Sequence, residues 1–150
     1  FKKTYDYEYV EMTSDMADEA MEFIDEFNKR KDVPEHEMEL LKMEERAMDD
    51  VFRNIEAVGY SAGAILIDKK IEAIAIGGRL GGNMVVEHVE KANVEYRGLY
   101  QAINNEFCKN VASWAKYINR EEDMGIPNLR KAKLSYRPCK LLEKYIGYFK

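Results

Sequence analysis

Two short apolar runs, Ser61 to Ile67 and Ile71 to Ile76, flank the charged tripeptide Asp68-Lys69-Lys70. Strand-length runs broken by a polar turn read as an antiparallel hairpin, and a hairpin must sit inside a larger sheet to bury its faces. The segments ahead of it supply one more strand and two helices. Lys3 to Met12 places Tyr5, Tyr7 and Tyr9 at every second position before Val10 and Met12, the pattern of a strand with a tyrosine face. Thr13-Ser14-Asp15 is a capping cluster for an amphipathic helix, Met16 to Lys29, with Met16, Ala20, Phe23, Ile24 and Phe27 on one side. Asp32 to Glu37, containing Pro34, reads as a loop or a new helix start. A second helix, Glu39 to Glu56, follows, with Leu40, Leu41, Met43, Ala47, Met48, Val51, Phe52 and Ile55 as its apolar stripe. Its methionines read as core filler rather than a binding surface, and Gly59 is placed to end it.

Beyond the hairpin, Gly77-Gly78-Arg79-Leu80-Gly81-Gly82 has strand on both sides. A phosphate-binding glycine loop opens a helix, so this stretch is expected to be a flexible turn or bulge. Met84 to Lys91 is the next strand, with Val86, His88 and Glu90 on one face and Glu87, Val89 and Lys91 on the other. After the loop Ala92 to Arg97, Gly98 leads into a long helix, Leu99 to Trp114, with Ile103, Phe107, Val111 and Trp114 on its apolar face. Ala115 to Arg120 forms a strand that runs into the charged corner Arg120-Glu121-Glu122-Asp123. A Gly-Ile-Pro turn (Gly125 to Pro127) follows, then Asn128 as cap of a basic helix, Leu129 to Ser135, and Pro138 as its stop. Leu141 to Phe149, with Tyr145 and Tyr148, is expected to close the chain as a strand. A strand ending in polar residues beside a helix start is where open α/β sheets place their sites.

Composition narrows the function classes. At 150 residues, 46% hydrophobic and 34% charged, the chain is expected to be one globular domain. No apolar run approaches the roughly 20 residues that span a bilayer, and Phe1-Lys2-Lys3 does not lead into the apolar core of a signal peptide. A cytoplasmic location is therefore expected. The first residue is not Met, which points to a piece of a longer chain. Cys108 and Cys139 read as two thiols in a reducing compartment, both packing residues. With His36 and His88 the only histidines and neither at zinc-ligand spacing, no metal site is expected. No Gly-x-Ser-x-Gly elbow occurs. The net charge of -5 argues against nucleic-acid affinity over the whole surface. The C-terminal end is nevertheless basic, with Arg130, Lys131, Lys133, Arg137, Lys140, Lys144 and Lys150 against Glu143, so a local phosphate-binding face is compatible with an acidic protein.

The element order suggests an acyltransferase of the GNAT class, and four blocks sharpen that: HVEKAN (His88 to Asn93), GLYQAINNEF (Gly98 to Phe107), YINREEDMG (Tyr117 to Gly125) and LRKAKLSYRP (Leu129 to Pro138). Together they resemble an uncharacterised bacterial family similar to the C-terminal domain of phosphatidylglycerol lysyltransferase. The resemblance runs from about Glu44 onward and is most specific over residues 86 to 138. It implies an α/β (α+β) GNAT-like fold with a mixed, mainly antiparallel central sheet flanked by helices. It also implies that residues 1–150 are one domain, the C-terminal half of a tandem protein, with an N-terminal GNAT-like half as partner. The donor it implies is aminoacyl-tRNA, with an unknown amine or hydroxyl acceptor; the alternatives are an acyl-coenzyme A N-acyltransferase and a non-catalytic half that completes a partner's cleft. GNAT enzymes bind pyrophosphate through a Q/R-x-x-G-x-G/A loop. The equivalent stretch here is Glu95-Tyr96-Arg97-Gly98-Leu99-Tyr100, where only Gly98 fits and the Glu95 carboxylate is electrostatically wrong unless paired with Arg97.

Aminoacyl transfer requires positioning, a base for the attacking group and a donor to the developing oxyanion. Read as sharing a face, His88 and Glu90 are candidates to take a proton, or Glu90 to hold a substrate ammonium; the competing reading for His88 is a hydrogen-bonded sheet residue. Tyr136 stands where GNAT enzymes often place a general-acid tyrosine, and otherwise reads as a packed side chain with a solvent-reaching hydroxyl. Asn119, Arg120, Glu121 and Asp123 lie at the strand end, where one of the acids is expected to pair with Arg120 or Arg130. Arg97 and Gly98 belong to the loop. Arg130, Lys131, Lys133 and Arg137 are the phosphate-contact candidates, whether for tRNA or a nucleotide.

Overall fold

The computed structural model describes residues 1–30 and 34–149. The Asp32 end of the expected loop before the second helix falls outside them. Two compact units are distinguished, Phe1–Asn119 and the stretch from Arg120 onward, and each is described by itself.

The first unit is built on a five-stranded sheet in the order β1-β2-β3-β4-β5. Its strands are β1 (Glu8–Met12), β2 (Tyr60–Ile67), β3 (Lys70–Arg79), β4 (Met84–Ala92) and β5 (Tyr117–Asn119). The first four are antiparallel neighbours, and β5 joins β4 in parallel. The expected hairpin is present as β2–β3, with Asp68 and Lys69 both at positive φ in its turn (51° and 65°). Two helices, α1 (Ala17–Lys29) and α2 (Met38–Arg53), and the short α3 (Ile55–Val58) cover one face. The helix α4 (Leu99–Asn110) covers the other. The parity of the strands decides which residues meet which layer. Ala62, Ala64, Ile74 and Ile76 join Ile24, Phe52 and Ile55 on the first face, whereas Ile65, Ile67, Ala73 and Ala75 join Ile103 and Phe107 on the second. Ile103 and Phe107 are fully buried, each contributing about 1.5–3 kcal/mol by removal from water.

The strand begins only at Glu8, so of the expected tyrosine face Tyr9 alone lies in β1; Tyr7, just ahead of it, also packs toward α4, where its hydroxyl donates to Glu106 Oε1 at 2.9 Å. Lys2 also reaches that carboxylate. Burial alone would raise the pKa of Glu106, but the hydrogen bonds from Lys2 and Tyr7 outweigh it and hold it below the usual range. The expected second helix ends early, at Arg53, and Gly59 instead ends the short α3, in the left-handed conformation (φ 71°).

Several expectations are corrected. Met38 and Met43 are exposed and only Met48 of the α2 methionines is buried, because α2 packs through its C-terminal half. The long helix stops at Asn110; Trp114 lies beyond it, 48% exposed, with the Arg79 guanidinium 4.8 Å from its ring centre. Gly77 and Gly78 lie inside β3 rather than in a turn, and the turn is confined to the following residues, where Gly81 and Gly82 have φ of 58° and 50°. The register of β3 against β4 shifts between Ile76 and Gly77, at the edge of this stretch, but the extra residue lies on β4.

In the second unit, α5 (Pro127–Ser135) is preceded by Met124 and Gly125 at positive φ. Ile126, not Asn128, occupies the N-cap, and Pro127 takes the first helical turn, where its fixed φ and missing N–H cost nothing. The helix ends at Ser135, with Tyr136 as C-cap, ahead of Pro138. Leu141 to Phe149 forms no strand: its backbone has no ladder partner among the described residues, and Tyr145, Ile146 and Tyr148 are about four-fifths exposed. Cys139 is exposed rather than packed, and neither cysteine is in a disulfide.

Candidate functional site

The sheet parts at β4. β5 pairs with it only at Met84↔Tyr117, Val85↔Ile118 and Val86↔Asn119, and β4 runs on to Ala92. Just past the last of these pairs β4 carries one residue more than β3: Gly77 faces Glu87 and Ile76 faces Val89, so His88 is the extra residue of a bulge. The bulge is fixed from the side of β3. A Cβ at Gly77 would stand 2.4 Å from the Val86 carbonyl oxygen and 2.9 Å from Phe107 Cζ. A Cβ at Gly78 would strike the Tyr60 ring, which lies across that glycine and stacks on His88 with centroids 5.1 Å apart.

This extra residue overturns the expected faces of the strand. Glu87 lies toward α4, where Asn104 Nδ2 donates to its two carboxylate oxygens at 3.2 and 2.9 Å. Val89 and Lys91 lie toward α1 and α2; the Lys91 ammonium is 2.8 Å from Glu44 Oε1 and 5.1 Å from the Phe27 ring centre. Glu87 therefore does not share a face with Val89 and Lys91. Nor does His88 share one with Glu90. Glu90 pairs with Ala75 of the α4-facing set and raises the pKa of Tyr100 on α4, a shift led by burial. His88 is exposed, on the side of Tyr60.

The loop into α4 is tied to the sheet by Asn93, which is 3% exposed. Its N–H donates to the Glu72 carbonyl and its Nδ2 to Glu72 Oε2, both at 2.8 Å. Within the loop, Asn93 Oδ1 accepts from the Glu95 N–H at 3.1 Å, the Asn93 carbonyl accepts from Tyr96, and the Tyr96 carbonyl accepts from Leu99. Gly98 has φ 90°, and a side chain there would contact Phe1. Tyr5 stacks edge-on against Tyr96. A pyrophosphate cradle needs backbone N–H groups turned to the ligand; those of Glu95, Tyr96 and Leu99 are consumed inside the loop, and Glu95 brings a negative charge. The loop therefore offers a pyrophosphate no N–H from Glu95, Tyr96 or Leu99. Arg97 is exposed beside them.

In the second unit the corner is internally compensated. Asp123 accepts from Arg130 Nε and from Nη2 (3.0 Å for the latter), and from the Gly125 N–H at 2.9 Å. The Arg130 guanidinium, then the Gly125 N–H, hold the Asp123 carboxyl at about 2. The expected acid–arginine pairing is thus Asp123 with Arg130. Lys133 Nζ donates to the carbonyls of Arg120 and Glu122 (2.6 Å to Glu122), and Lys144 lies 3.0 Å from Glu122 Oε1. Arg120 stacks 4.3 Å from the Tyr136 ring centre. Glu121 is exposed at φ 55°. Of the four phosphate-contact candidates, Arg130 and Lys133 hold the corner together, whereas Lys131 and Arg137 are exposed. The first unit thus carries Asn119, His88, Glu90 and the Arg97–Gly98 loop, with His88 and Glu90 on opposite layers; the second brings together Asp123 with Arg130, Lys133 with the Arg120 and Glu122 carbonyls, and Arg120 with Tyr136, and carries Glu121, Lys131 and Arg137 exposed beside them. Sequence reasoning missed the Tyr60–His88 stack and the Glu87–Asn104 pair; a tyrosine opposite Gly78 and a carboxylate in a buried strand were the available signals. Among the described residues no group of three or more His, Cys, Asp or Glu side chains is placed to hold a metal, and no helix is long and apolar enough to cross a membrane.

A sheet that parts beside a strand bulge, with a helix starting at the end of the bulged strand, is the GNAT-like fold. The chain aligns over 96% of its length with a ribosomal-protein-alanine N-acetyltransferase from Brucella melitensis biovar Abortus 2308 (TM-score 0.67, 10% identity, all of that chain covered). It aligns as fully with a possible acetyltransferase from Clostridium difficile 630 (TM-score 0.66, 14% identity, 97% of that chain). Within that class, residues 1–148 match the family described as phosphatidylglycerol lysyltransferase, C-terminal, and the chain belongs to this family. The match takes in the N-terminal third, beyond the stretch in which the resemblance was expected. A conserved protein of unknown function from Bacteroides thetaiotaomicron VPI-5482 is 35% identical over 93% of this chain, with a TM-score of 0.80. The chain spans about half of that protein, 47% of its length. No curated protein sequence matches the chain.

Proposed function

We propose that the chain is an aminoacyl-tRNA-dependent transferase domain, the C-terminal half of a tandem GNAT-like protein. Its membership of the lysyltransferase C-terminal family supports the reaction class, and the 47% coverage of the Bacteroides protein supports the tandem arrangement. The observation that carries the choice of donor is the loop into α4, whose Glu95, Tyr96 and Leu99 N–H groups are spent internally. Aminoacyl-tRNA brings its own activated ester and needs no pyrophosphate cradle. An amine or hydroxyl acceptor attacks the ester carbonyl, the bond to the ribose oxygen breaks, and the acceptor's proton ends on that oxygen. His88, exposed on the bulge of the first unit, is assigned the transfer of that proton; in the second unit, Lys131 and Arg137 are assigned phosphate contacts. Because aminoacyl-tRNA is a cytoplasmic substrate, this reading places the domain in the cytoplasm.

Calorimetric titration with acetyl-coenzyme A and with coenzyme A tests the donor. The expected result is no heat at millimolar ligand. A micromolar Kd, on the order of -8 kcal/mol, would overturn the reading in favour of an acyl-coenzyme A transferase. In parallel, Lys131→Glu with Arg137→Glu is expected to abolish tRNA binding; binding that survives both changes would remove tRNA as donor.

A further inference from the structure

Away from the loop and bulge, one end of the sheet gathers exposed aromatic rings under cations. Trp114 is 48% exposed with the Arg79 guanidinium 4.8 Å from its ring centre, and Tyr117 is 40% exposed with the Lys116 ammonium 5.4 Å from its ring centre. Backbone bonds hold the two pairs at one place. Arg79 Nη2 donates to the Gly82 carbonyl at 3.1 Å, and the N–H groups of Lys116 and Tyr117 both donate to the Asn83 carbonyl, at 2.8 and 3.2 Å. The two segments concerned, residues 79–84 and 108–118, contain Arg79, Lys109 and Lys116 and no Asp or Glu, in a chain whose net charge is -5. Two adjoining segments that carry three cations and no acid, on an acidic protein, are complementary to a polyanion.

From this juxtaposition we propose that the Arg79–Trp114 and Lys116–Tyr117 pairs form a stacking platform for unpaired bases of RNA. The proposal rests on the aminoacyl-tRNA reading and extends it to a contact surface outside the transfer centre. The chemistry is that of single-strand recognition: every base has a face to lay on an aromatic ring, the cation holds the ring's other side or the adjacent phosphate, and sequence matters little. An aminoacyl-tRNA offers such bases at its unpaired 3′ end. A protein partner would also use Trp, Tyr and Arg, but the absence of acids in both segments, with three cations among them, favours a polyanion.

The test is fluorescence anisotropy with two probes at fixed salt: deacylated tRNA with its unpaired 3′ end, and the same tRNA with that end trimmed to the duplex. Trp114→Ala is expected to weaken the intact tRNA at least about fivefold and the trimmed tRNA far less. Arg79→Ala with Lys116→Ala is expected to flatten the salt dependence by about two ions, with melting temperature checking that each variant is folded; this pair keeps the test decisive if Trp114→Ala is not. If the parent binds neither probe, the donor reading falls and this proposal with it. If the parent binds, and binding is lost in the Lys131→Glu, Arg137→Glu variant but unchanged in both platform variants, the donor reading stands and the platform is overturned. Unchanged RNA affinity together with a loss of self-association in Trp114→Ala would mark a protein interface, and overturn it equally.

Discussion

Gly77→Ala is the sharpest test of how the fold makes its site. Gly77 lies in β3 opposite Glu87, at the bulge, and its φ is not in the left-handed region, so Ala brings no backbone strain there. Its cost is steric. The new methyl would stand 2.4 Å from the Val86 carbonyl oxygen and 2.9 Å from Phe107 Cζ. Val86 belongs to the β4 residues paired with β5, and Phe107 is fully buried under the sheet, so neither neighbour yields without moving backbone or core. Overpacking of this kind costs about 1–3 kcal/mol, and with both contacts immovable the upper half of that range, about 2–3 kcal/mol, is expected. For a chain of this length each kcal/mol shifts Tm by about 2–4 °C, which predicts a drop of about 4–12 °C. Gly82→Ala is the control: nothing stands within 4 Å of its Cβ, and its φ of 50° carries a left-handed cost of about 1–2 kcal/mol without touching β4. Thermal melting followed by circular dichroism reads the loss, and hydrogen exchange over residues 86–92 reads where it occurs. A Gly77→Ala protein melting within about 1 °C of the parent, with unchanged exchange in β4, would falsify the claim that the bulge is held from β3.

Three further outcomes follow from the same contacts. Tyr9 Oη is buried without a hydrogen-bond partner among the described residues, and burial pushes its pKa up; Tyr9→Phe should therefore match or exceed the parent's stability, and a loss above about 1 kcal/mol in chemical unfolding would show that the hydroxyl is satisfied. Carboxyl NMR should find Asp123 titrating at about 2. Its folded pKa is depressed, so its stabilising effect is complete above the unfolded value near 3.9 and is lost as pH falls through about 2; a midpoint near 4 would dissolve the Arg130 pairing. Lys133→Met removes the donor to the Arg120 and Glu122 carbonyls, and should speed hydrogen exchange across residues 120–126 by at least about tenfold, whereas exposed Lys131→Met leaves it unchanged; equal effects would return Lys133 to the phosphate-contact group.

Sequence pattern carried the sheet's backbone and its helices because both periods are written in apolar residues. The β2–β3 hairpin and the amphipathic helix α1 were legible for that reason. What was not legible depends on partners far apart in the chain. The N-terminal half of α2 looks like an apolar stripe, and only the packed structure shows that Met38 and Met43 are exposed. Leu141 to Phe149 has strand-forming residues, but a strand exists only where a ladder receives it. Arg130 and Lys133 read as phosphate ligands from charge alone, because the carboxylate and carbonyls that take them up lie across a turn.

The bulge matters most among these. A single extra residue reverses every later side chain, so His88 and Glu90, two apart and expected together, point to opposite layers. His88 and Glu90 therefore do not share one face of β4. His88 is left with the side of Tyr60, α1 and α2, and Glu90 with the side of α4. If transfer needs a base on one layer and recognition of a charged group on the other, the inserted residue is what divides the two tasks. With His88 and Glu90 on separate layers, His88→Ala and Glu90→Gln should act independently on stability, adding within about 0.5 kcal/mol. Coupling well above that would mean that both side chains meet on one face and that the bulge had been misassigned.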